Sequence, residues 1–283
     1  MSLMSTEQFE KFFEPYAPNV QGFYEAPFWA FSDALVRALM DKHLGVQAGQ
    51  HILDAGGGTA RWALWAAEHF DVDVTVADKS EKMVEEALQN VAKSPFGERV
   101  TVVLCDLEDA PMLADESFDA AISTYGVLSF LDQPAAAFDT LARVLKPGAQ
   151  GMFMSHSLSN ALHSKLSRDG VTPEELDTLL NDQIVRWAEH VPPLRVYSAS
   201  DLRKLGEGAG FEVPRVYGVP LLTYPGPEDF GYPYEKLGFV SNALQDREFF
   251  NAALAAELKA SERPEWADRG VNLMVHVRKP ADA

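Results

Sequence analysis

Cysteine is nearly absent from this sequence, which has one such residue, Cys105, in a chain of 283. An intrachain disulfide is therefore impossible, and a structural zinc site built from several cysteines is excluded. The sequence also has no apolar run of about 18 residues and no apolar segment near its start. These absences predict a cytoplasmic protein without a transmembrane helix, and no cluster of residues typical of a metal site stands out.

Basic residues are scarce relative to acidic ones, with 24 lysines and arginines against 42 aspartates and glutamates and a net charge of -18. Such a surface repels polyanions at long range, which disfavours nucleic acid and anionic membranes as partners. A local basic patch on an acidic protein would still be compatible with RNA. The remaining composition, 47% hydrophobic and 23% charged residues, is ordinary for a globular protein.

The length fits one large α/β domain with an insertion, or one domain with a cap. Apolar residues at helical spacing predict an N-terminal helical cover over residues 1–48. The main domain is then expected over 49–283, and within it the segments 157–195 and 224–262 are interpreted as insertions on the substrate side.

Short apolar runs alternate with amphipathic segments in the first half of the main domain, which predicts a parallel sheet covered on both faces. Right-handed crossovers would place the carboxyl ends of these strands at one edge, where ligands bind in such sheets. The predicted strands are 51–56, 72–78, 100–106, 118–124 and 151–157, and the predicted helices are 60–69, 80–92 and 134–144.

The pattern changes after the fifth apolar run. Residues 157–195 predict helices and loops without a strand. Ser198 and Asp201 have the spacing of a capping box and predict the start of a helix. The expected elements that follow are a strand at 211–219, a loop from Tyr224 to Tyr234, a helix at 246–261 and a closing strand at 272–279.

A glycine loop, Asp54–Arg61, follows the first predicted strand and opens the first helix. Three consecutive glycines permit a tight turn and close approach of a ligand to the backbone. A dinucleotide fingerprint would require a third glycine at the position of Arg61, and the acidic Asp54 would repel a diphosphate. The Gly-Lys-Ser/Thr of a nucleoside triphosphate loop is also missing, whereas a carboxylate at this position suits a cationic amine.

These residues resemble the first motif of the class I S-adenosylmethionine-dependent methyltransferases, with Ala60 where a third glycine is usual. The resemblance is to the type 11, quinone-methyltransferase-like members. It implies an α/β fold with a Rossmann-like sheet of seven strands and helices on both faces. It also implies that Asp54, with backbone groups of Ala55, Gly56 and Gly58, holds the methionine end of S-adenosylmethionine.

Further positions follow in the order that this family requires, over about residues 50–155. The resemblance implies that Asp78 accepts hydrogen bonds from the ribose hydroxyls, which would stabilise binding by about 1.5–3 kcal/mol per bond. It also implies contacts of the adenine with Lys79, Met83, Asp106 and Leu107, and it places Ser123 at a strand end facing the cofactor. Leu145-Lys146-Pro147-Gly148 matches the family's stop before strand five.

Methyl transfer from a sulfonium is a direct displacement, so the enzyme mainly has to orient its reactants. A base is needed only for a protonated acceptor. The candidate bases are His156 and Tyr125, each at the end of a predicted strand. Tyr24, in an aromatic bend before the first strand, is expected to reach the carboxylate of the cofactor.

Three alternatives stay open beside a small-molecule methyltransferase. The flanks 196–202, 209–211 and 275–280 resemble the bacterial methyltransferases that esterify carboxymethoxyuridine in transfer RNA. The chain could instead bind S-adenosylmethionine, or its product S-adenosylhomocysteine, without catalysis, or it could be a nicotinamide oxidoreductase. The sequence leaves the acceptor and the oligomeric state open.

Overall fold

The computed structural model describes residues 6–167, 171–187, 191–230 and 236–281. The helices are α1 Thr6–Tyr16, α2 Val20–Phe23, α3 Pro27–His43, α4 Arg61–Phe70, α5 Glu81–Lys93, α6 Pro134–Val144, α7 Leu158–Leu166, α8 Pro173–Asn181, α9 Ala199–Gly208, α10 Phe239–Ala243 and α11 Arg247–Ser261. The strands are β1 His51–Ala55, β2 Asp73–Asp78, β3 Val100–Leu104, β4 Phe118–Ser123, β5 Leu145–His156, β6 Ile184–Val185, β7 Leu194–Arg195, β8 Glu212–Val219 and β9 Asn272–Arg278.

Seven strands form the central sheet in the order β3-β2-β1-β4-β5-β9-β8. The strands from β3 to β5 are parallel, whereas β9 runs antiparallel to both of its neighbours. The order reverses beside β1, so the carboxyl ends of β1 and β4 diverge there and leave a crevice. The predicted Rossmann-like sheet of seven strands is confirmed.

Helices cover both faces of the sheet because successive strand residues point to opposite sides. Ile52 packs on the face that carries α3 and α4, whereas its neighbour Leu53 packs on the face that carries α6 and α9. Met152 and Phe153 of β5 divide between the two faces in the same way. The alternation explains why these strands appear in the sequence as continuous apolar runs.

Strand β5 begins earlier than predicted. The interpretation of Lys146-Pro147-Gly148 as a stop before strand five is wrong, because α6 ends at Val144 and β5 starts at Leu145. The register with β4 shifts between the pairs Phe118–Leu145 and Ala120–Gln150, so residues 146–149 form a bulge. A bulge tolerates both a proline and the positive φ of Gly148, so these residues interrupt the pairing without ending the strand.

The prediction that residues 157–195 contain no strand is also wrong, since β6 and β7 pair there as an antiparallel hairpin. Each strand has only two residues, which is too short to produce an alternating pattern. Residues 168–170 and 188–190 of this segment, and 231–234 of the predicted 224–234 loop, lie outside the described residues.

The later helices match the sequence more closely. Asp201 accepts a hydrogen bond from the Ser198 backbone N–H while Ser198 Oγ accepts one from the Asp201 N–H, which confirms the predicted capping box. Asp246 caps α11 in a similar manner. Within the described ranges, no helix combines the length and apolarity needed to cross a bilayer.

Candidate active site

A cavity of about 370 Å³ lies at the carboxyl edge of the parallel strands. The residues that follow β1, β2, β3 and β4 line its floor, and α1 with the bend before α3 lines its roof. Eight of the predicted cofactor residues line this cavity: Tyr24, Gly56, Gly58, Asp78, Lys79, Met83, Asp106 and Leu107. The two predicted bases, Tyr125 and His156, line it as well.

Three predicted cofactor residues do not line the cavity. Ala55 is fully buried within β1. Ser123 is buried at the end of β4, and its hydroxyl has no hydrogen-bond partner among the described residues. Asp54 lies behind the glycine loop, because a Cβ added to Gly57 would come within 2.6 Å of the Asp54 carboxyl group. These three residues therefore lie behind the wall of the cavity.

The glycine loop is held in a conformation that L-amino acids with side chains rarely adopt. Gly56 and Gly58 have φ values of 70° and 54°, and Ala60 follows with 66°. A side chain at Gly56 would overlap Val127, whereas one at Gly58 would reach only the sulfur of Met83, at 3.7 Å. The tight turn brings backbone N–H groups to the cavity at the start of α4.

Asp54 is a carboxyl group with unusual surroundings. It is fully buried, and neither of its oxygens has a hydrogen bond of full geometry among the described residues, although the Ala63 N–H lies near enough to lower its pKa. Burial raises its pKa to about 7, and the nearby Asp78 adds to the shift. A buried carboxyl group with so few donors favours a cation close to it, and Arg61 meets this need in part, since it lowers the pKa of Asp54.

Asp78 organises the loop from the end of β2. One of its oxygens accepts a hydrogen bond of 2.9 Å from the Gly58 N–H, and the other accepts one of 2.9 Å from the Ser80 N–H. Burial raises the pKa of this carboxyl group. Each carboxylate oxygen has a further lone pair, so Asp78 can still accept hydrogen bonds from the cavity.

The far end of the cavity is apolar. Met83 packs with Phe9 and Phe13 of α1, and the ammonium group of Lys79 lies 4.5 Å from the centre of the Phe9 ring. Opposite them, the buried Leu107 follows β3. This end suits a flat aromatic group.

Arg61, which departs from the dinucleotide fingerprint, lines the other end of the cavity. Its guanidinium pairs with Asp33 of α3 and lies 4.1 Å from the centre of the Tyr24 ring. The sequence analysis missed this role, although a signal existed: a cation in the first turn of a helix is unfavourable unless it has a partner.

Tyr125 takes part in the same network. Its hydroxyl donates to Asp33 Oδ1 at 2.5 Å, and burial, with Asp33 adding to it, raises its pKa well above the usual value. A hydroxyl committed as a donor to a carboxylate is poorly suited to take up a proton. The geometry therefore makes Tyr125 part of the cavity wall.

His156, the last residue of β5, lies opposite Asn272, the first residue of β9. The distance from His156 Nδ1 to Asn272 Oδ1 is 3.2 Å. Since this oxygen only accepts, Nδ1 carries the proton and Nε2 has a free lone pair. Burial lowers the pKa of the ring to about 4, which keeps it neutral at physiological pH.

A second cavity of about 480 Å³ adjoins the first one. The two cavities share Trp29, His156, Trp187 and Asn272. The remaining walls of the second cavity come mostly from α7 and from residues 224–230, which belong to the two predicted insertions. Sequence reasoning missed Asn272 and Trp187, because neither belongs to a recognisable motif.

Residues 52–148 match a family model described as a methyltransferase domain. The ubiquinone/menaquinone biosynthesis C-methyltransferase UbiE of Geobacter sulfurreducens is 32% identical to this chain over 71% of the chain and 69% of the relative. The O-methyltransferase cnsE of Penicillium expansum is 29% identical over 68% of the chain and 64% of the relative. Two other curated relatives are matched over only 50% and 45% of their length.

Solved structures share the fold. Phosphoethanolamine N-methyltransferase 2 of Haemonchus contortus, in complex with S-adenosyl-L-methionine, superposes with a TM-score of 0.55 at 20% identity. The superposition covers 88% of this chain and 52% of that protein.

Proposed function

Because this chain belongs to the class I S-adenosylmethionine-dependent methyltransferases, with S-adenosylmethionine as its cofactor, we propose that it methylates a small-molecule acceptor by direct displacement at the methyl carbon. The observation that carries the proposal is the junction of the two cavities at His156. A cofactor in the first cavity and an acceptor in the second would meet beside this side chain.

The first cavity fits the cofactor in charge and shape. S-adenosylmethionine supplies an electrophilic methyl group on a sulfonium. We assign its ammonium group to the end of the cavity near Asp54, whose buried carboxyl group has no hydrogen bond of full geometry in the described residues. Asp78 would accept from the ribose hydroxyls, and Asp106 and Leu107 would lie at the adenine edge.

The methionine carboxylate would lie near Arg61 and Tyr24. The Arg61 guanidinium keeps donors beyond its two contacts with Asp33, since it has five N–H groups. The N–H groups at the start of α4 add to the positive potential there. The roof over this end is Trp29 together with Tyr24, whose ring centres lie 5.1 Å apart.

We propose the division of the chain on the same grounds. Residues 1–48 supply the roof over the cofactor, and 49–283 form the methyltransferase domain. Within it, 157–195 and 224–262 enclose the acceptor. We assign the role of proton acceptor to His156 alone, since the Tyr125 hydroxyl donates to Asp33.

Transfer of an isotopically labelled methyl group from S-adenosylmethionine into cell extract, separated into small-molecule and RNA fractions, tests the proposal. Label in the small-molecule fraction is expected, and the Asp78→Ala variant should abolish it at limiting cofactor. Label in transfer RNA would overturn the proposal in favour of the RNA-modifying alternative. Absence of label in both fractions, with cofactor binding intact, would favour a non-catalytic binding protein.

A further inference from the structure

We propose that the second cavity is the acceptor site and that it selects an uncharged, planar molecule of two or three rings that carries a hydroxyl group. The proposal rests on the proposed function and adds the chemical class of the acceptor. The second cavity has a volume of about 480 Å³, within the range of about 300–1,000 Å³ that is usual for small-molecule sites.

Aromatic side chains surround the second cavity from several elements. Trp29 comes from α3, Trp187 follows β6, and Tyr224 and Phe230 come from the loop after β8. The rings of Trp29 and Phe230 lie 5.4 Å apart, and the Trp29 indole N–H donates to the Phe230 carbonyl oxygen at 3.1 Å. Flat walls of this kind favour a flat ligand, because stacked and edge-to-face contacts add to the burial of apolar surface.

The polar side chains that line the second cavity are hydroxyls, amides and imidazoles. Asn160, His163, Ser164 and Asn272 lie among its walls, and no Lys, Arg, Asp or Glu occurs among its described lining residues. Transfer of an unpaired charge from water into such surroundings is costly. The composition therefore disfavours phosphate, carboxylate and ammonium acceptors.

Aromatic walls also bind ammonium groups. The position of nearby carboxylates therefore decides whether the cavity favours a cationic ligand or a neutral one. Two buried carboxylates lie behind the 221–230 wall. Glu257 accepts hydrogen bonds from the N–H groups of Leu221, Leu222 and Thr223 at 2.7–2.8 Å. Asp229 accepts from the N–H groups of Gly226 and Ser241. Both carboxylates hold the wall and do not line the cavity, which favours the neutral class.

The hydroxyl group of the proposed acceptor is inferred from His156, where the two cavities meet. The His156 side chain lines both cavities, and its bond with Asn272 leaves Nε2, beside Gly126, as the acceptor that a ligand hydroxyl would match. In the transfer, the acceptor oxygen forms a bond to the methyl carbon, the carbon–sulfur bond breaks with its electron pair left on sulfur, and the hydroxyl proton passes to His156 Nε2 and then to solvent.

Calorimetric titration in the presence of saturating S-adenosylhomocysteine tests the selectivity. The probes are naphthol, naphthoate and trimethylnaphthylammonium, which share one ring system and differ in charge. Naphthol is expected to bind at least about tenfold more tightly than either charged compound. Tighter binding of the ammonium compound would overturn the proposal in favour of a cation site, and tighter binding of the carboxylate would overturn it too.

A variant that fills the second cavity locates the binding site. Ser164 lies on α7 and lines the second cavity but not the first. Ser164→Trp should weaken naphthol binding at least about tenfold while affinity for S-adenosylhomocysteine stays unchanged. Ser164→Ala is the matched control and should bind both normally. Unchanged naphthol affinity in Ser164→Trp would overturn the location. Loss of S-adenosylhomocysteine binding by the unmodified protein would instead overturn the proposed function.

Discussion

Asp54 and Asp78 lie at the carboxyl ends of neighbouring strands, one residue before the end of β1 and at the end of β2, yet their carboxyl groups have different surroundings. Asp78 accepts two backbone hydrogen bonds, whereas neither Asp54 oxygen has a hydrogen bond of full geometry among the described residues. Burial raises the pKa of both groups. The ionised Asp54 therefore lowers the stability of the free protein, and a bound cation would raise it again.

Replacing Asp54 with asparagine should stabilise the free protein. The pKa of Asp54 is about 7 in the folded protein and 3.8 in its ordinary state. The folded chain thus binds more protons between these values, and stability falls as pH rises through this window. Asp54→Asn removes the penalty, so its gain in melting temperature should be larger at pH 8 than at pH 5. An equal gain at both pH values would contradict the assigned pKa.

The same variant should bind S-adenosylmethionine about tenfold more weakly at pH 8, because a neutral amide does not balance an ammonium group. Glu262→Gln, at an exposed surface position, is the control and should change neither quantity.

His156 should remain neutral far below its ordinary pKa of 6.5, since burial lowers this value to about 4. Stability should decrease as pH falls from about 6.5 towards 4, because the unfolded chain takes up a proton that the folded chain excludes. The imidazole resonances of His156, assigned with the His156→Gln variant, should stay constant from pH 8 to about 5. A midpoint near 6.5 would contradict the buried, Asn272-bonded ring.

Individual site residues differ in how far the sequence predicts them. Gly56 and Asp78 follow strands at fixed spacing, and the structure places both in the first cavity. The sequence indicates that Arg61 needs a partner, but it does not show that this partner is Asp33, 28 residues away. The pairing of Asn272 with His156, 116 residues apart, leaves no signal in the sequence. Only the fold brings such pairs together.

At the scale of elements, two glycines of the glycine loop allow backbone strain to be distinguished from steric overlap. Gly56→Ala and Gly58→Ala impose similar backbone strain, since both glycines have positive φ. Only the first variant also overlaps Val127. We expect Gly56→Ala to lose cofactor affinity by more than about tenfold relative to Gly58→Ala, and Val127→Ala to restore part of it. Equal affinities measured by calorimetry would exclude contact between this turn and the cofactor.

The Glu257 carboxylate holds α11 to the segment after β8. A glutamine at this position would turn one amide N–H₂ group towards backbone donors. Glu257→Gln should therefore lower the free energy of unfolding by about 2–4 kcal/mol, as seen in urea titrations. The exposed Glu262→Gln variant again serves as the control. A change in the free energy of unfolding below about 0.5 kcal/mol would mean that these backbone N–H groups find other acceptors, such as water, in the variant.

Elements with a strong local pattern could be predicted from the sequence. β1, β2 and β4 agree with their predicted bounds to within a residue. The β6–β7 hairpin could not, because its strands are short and pair through backbone groups that leave little trace in residue type. Trp187, which follows β6, lines both cavities, so its place in the site was as hard to predict as the hairpin.

At the scale of the molecule, the helices α1 and α3 of the N-terminal 1–48 segment pack in different places. α1 packs over the first cavity through Phe9 and Phe13. α3 instead belongs to the main core, where Leu35, Leu39 and Met40 are almost entirely buried. The proposed cover over the cofactor is therefore mainly α1, and α3 is part of the scaffold.

Two truncations test this division. Deleting residues 1–16 should leave a cooperatively folded protein with weaker affinity for S-adenosylhomocysteine. Deleting residues 1–43 should prevent folding, because each of the three buried α3 side chains contributes about 1.5–3 kcal/mol to a total stability of about 5–15 kcal/mol. Circular dichroism melting curves distinguish the two results. A stable fold without α3 would contradict its place in the core.

The antiparallel strand β9 lies between β5 and β8, and it places Asn272 beside His156. It is the last of the seven sheet strands to be synthesised, so a nascent chain that has already left the ribosome as far as β8 still has no neighbour for that strand. The acceptor side of the site would then be completed only at the end of translation. A chain growing on the ribosome could close its cofactor crevice early and still be unable to methylate until β9 emerges.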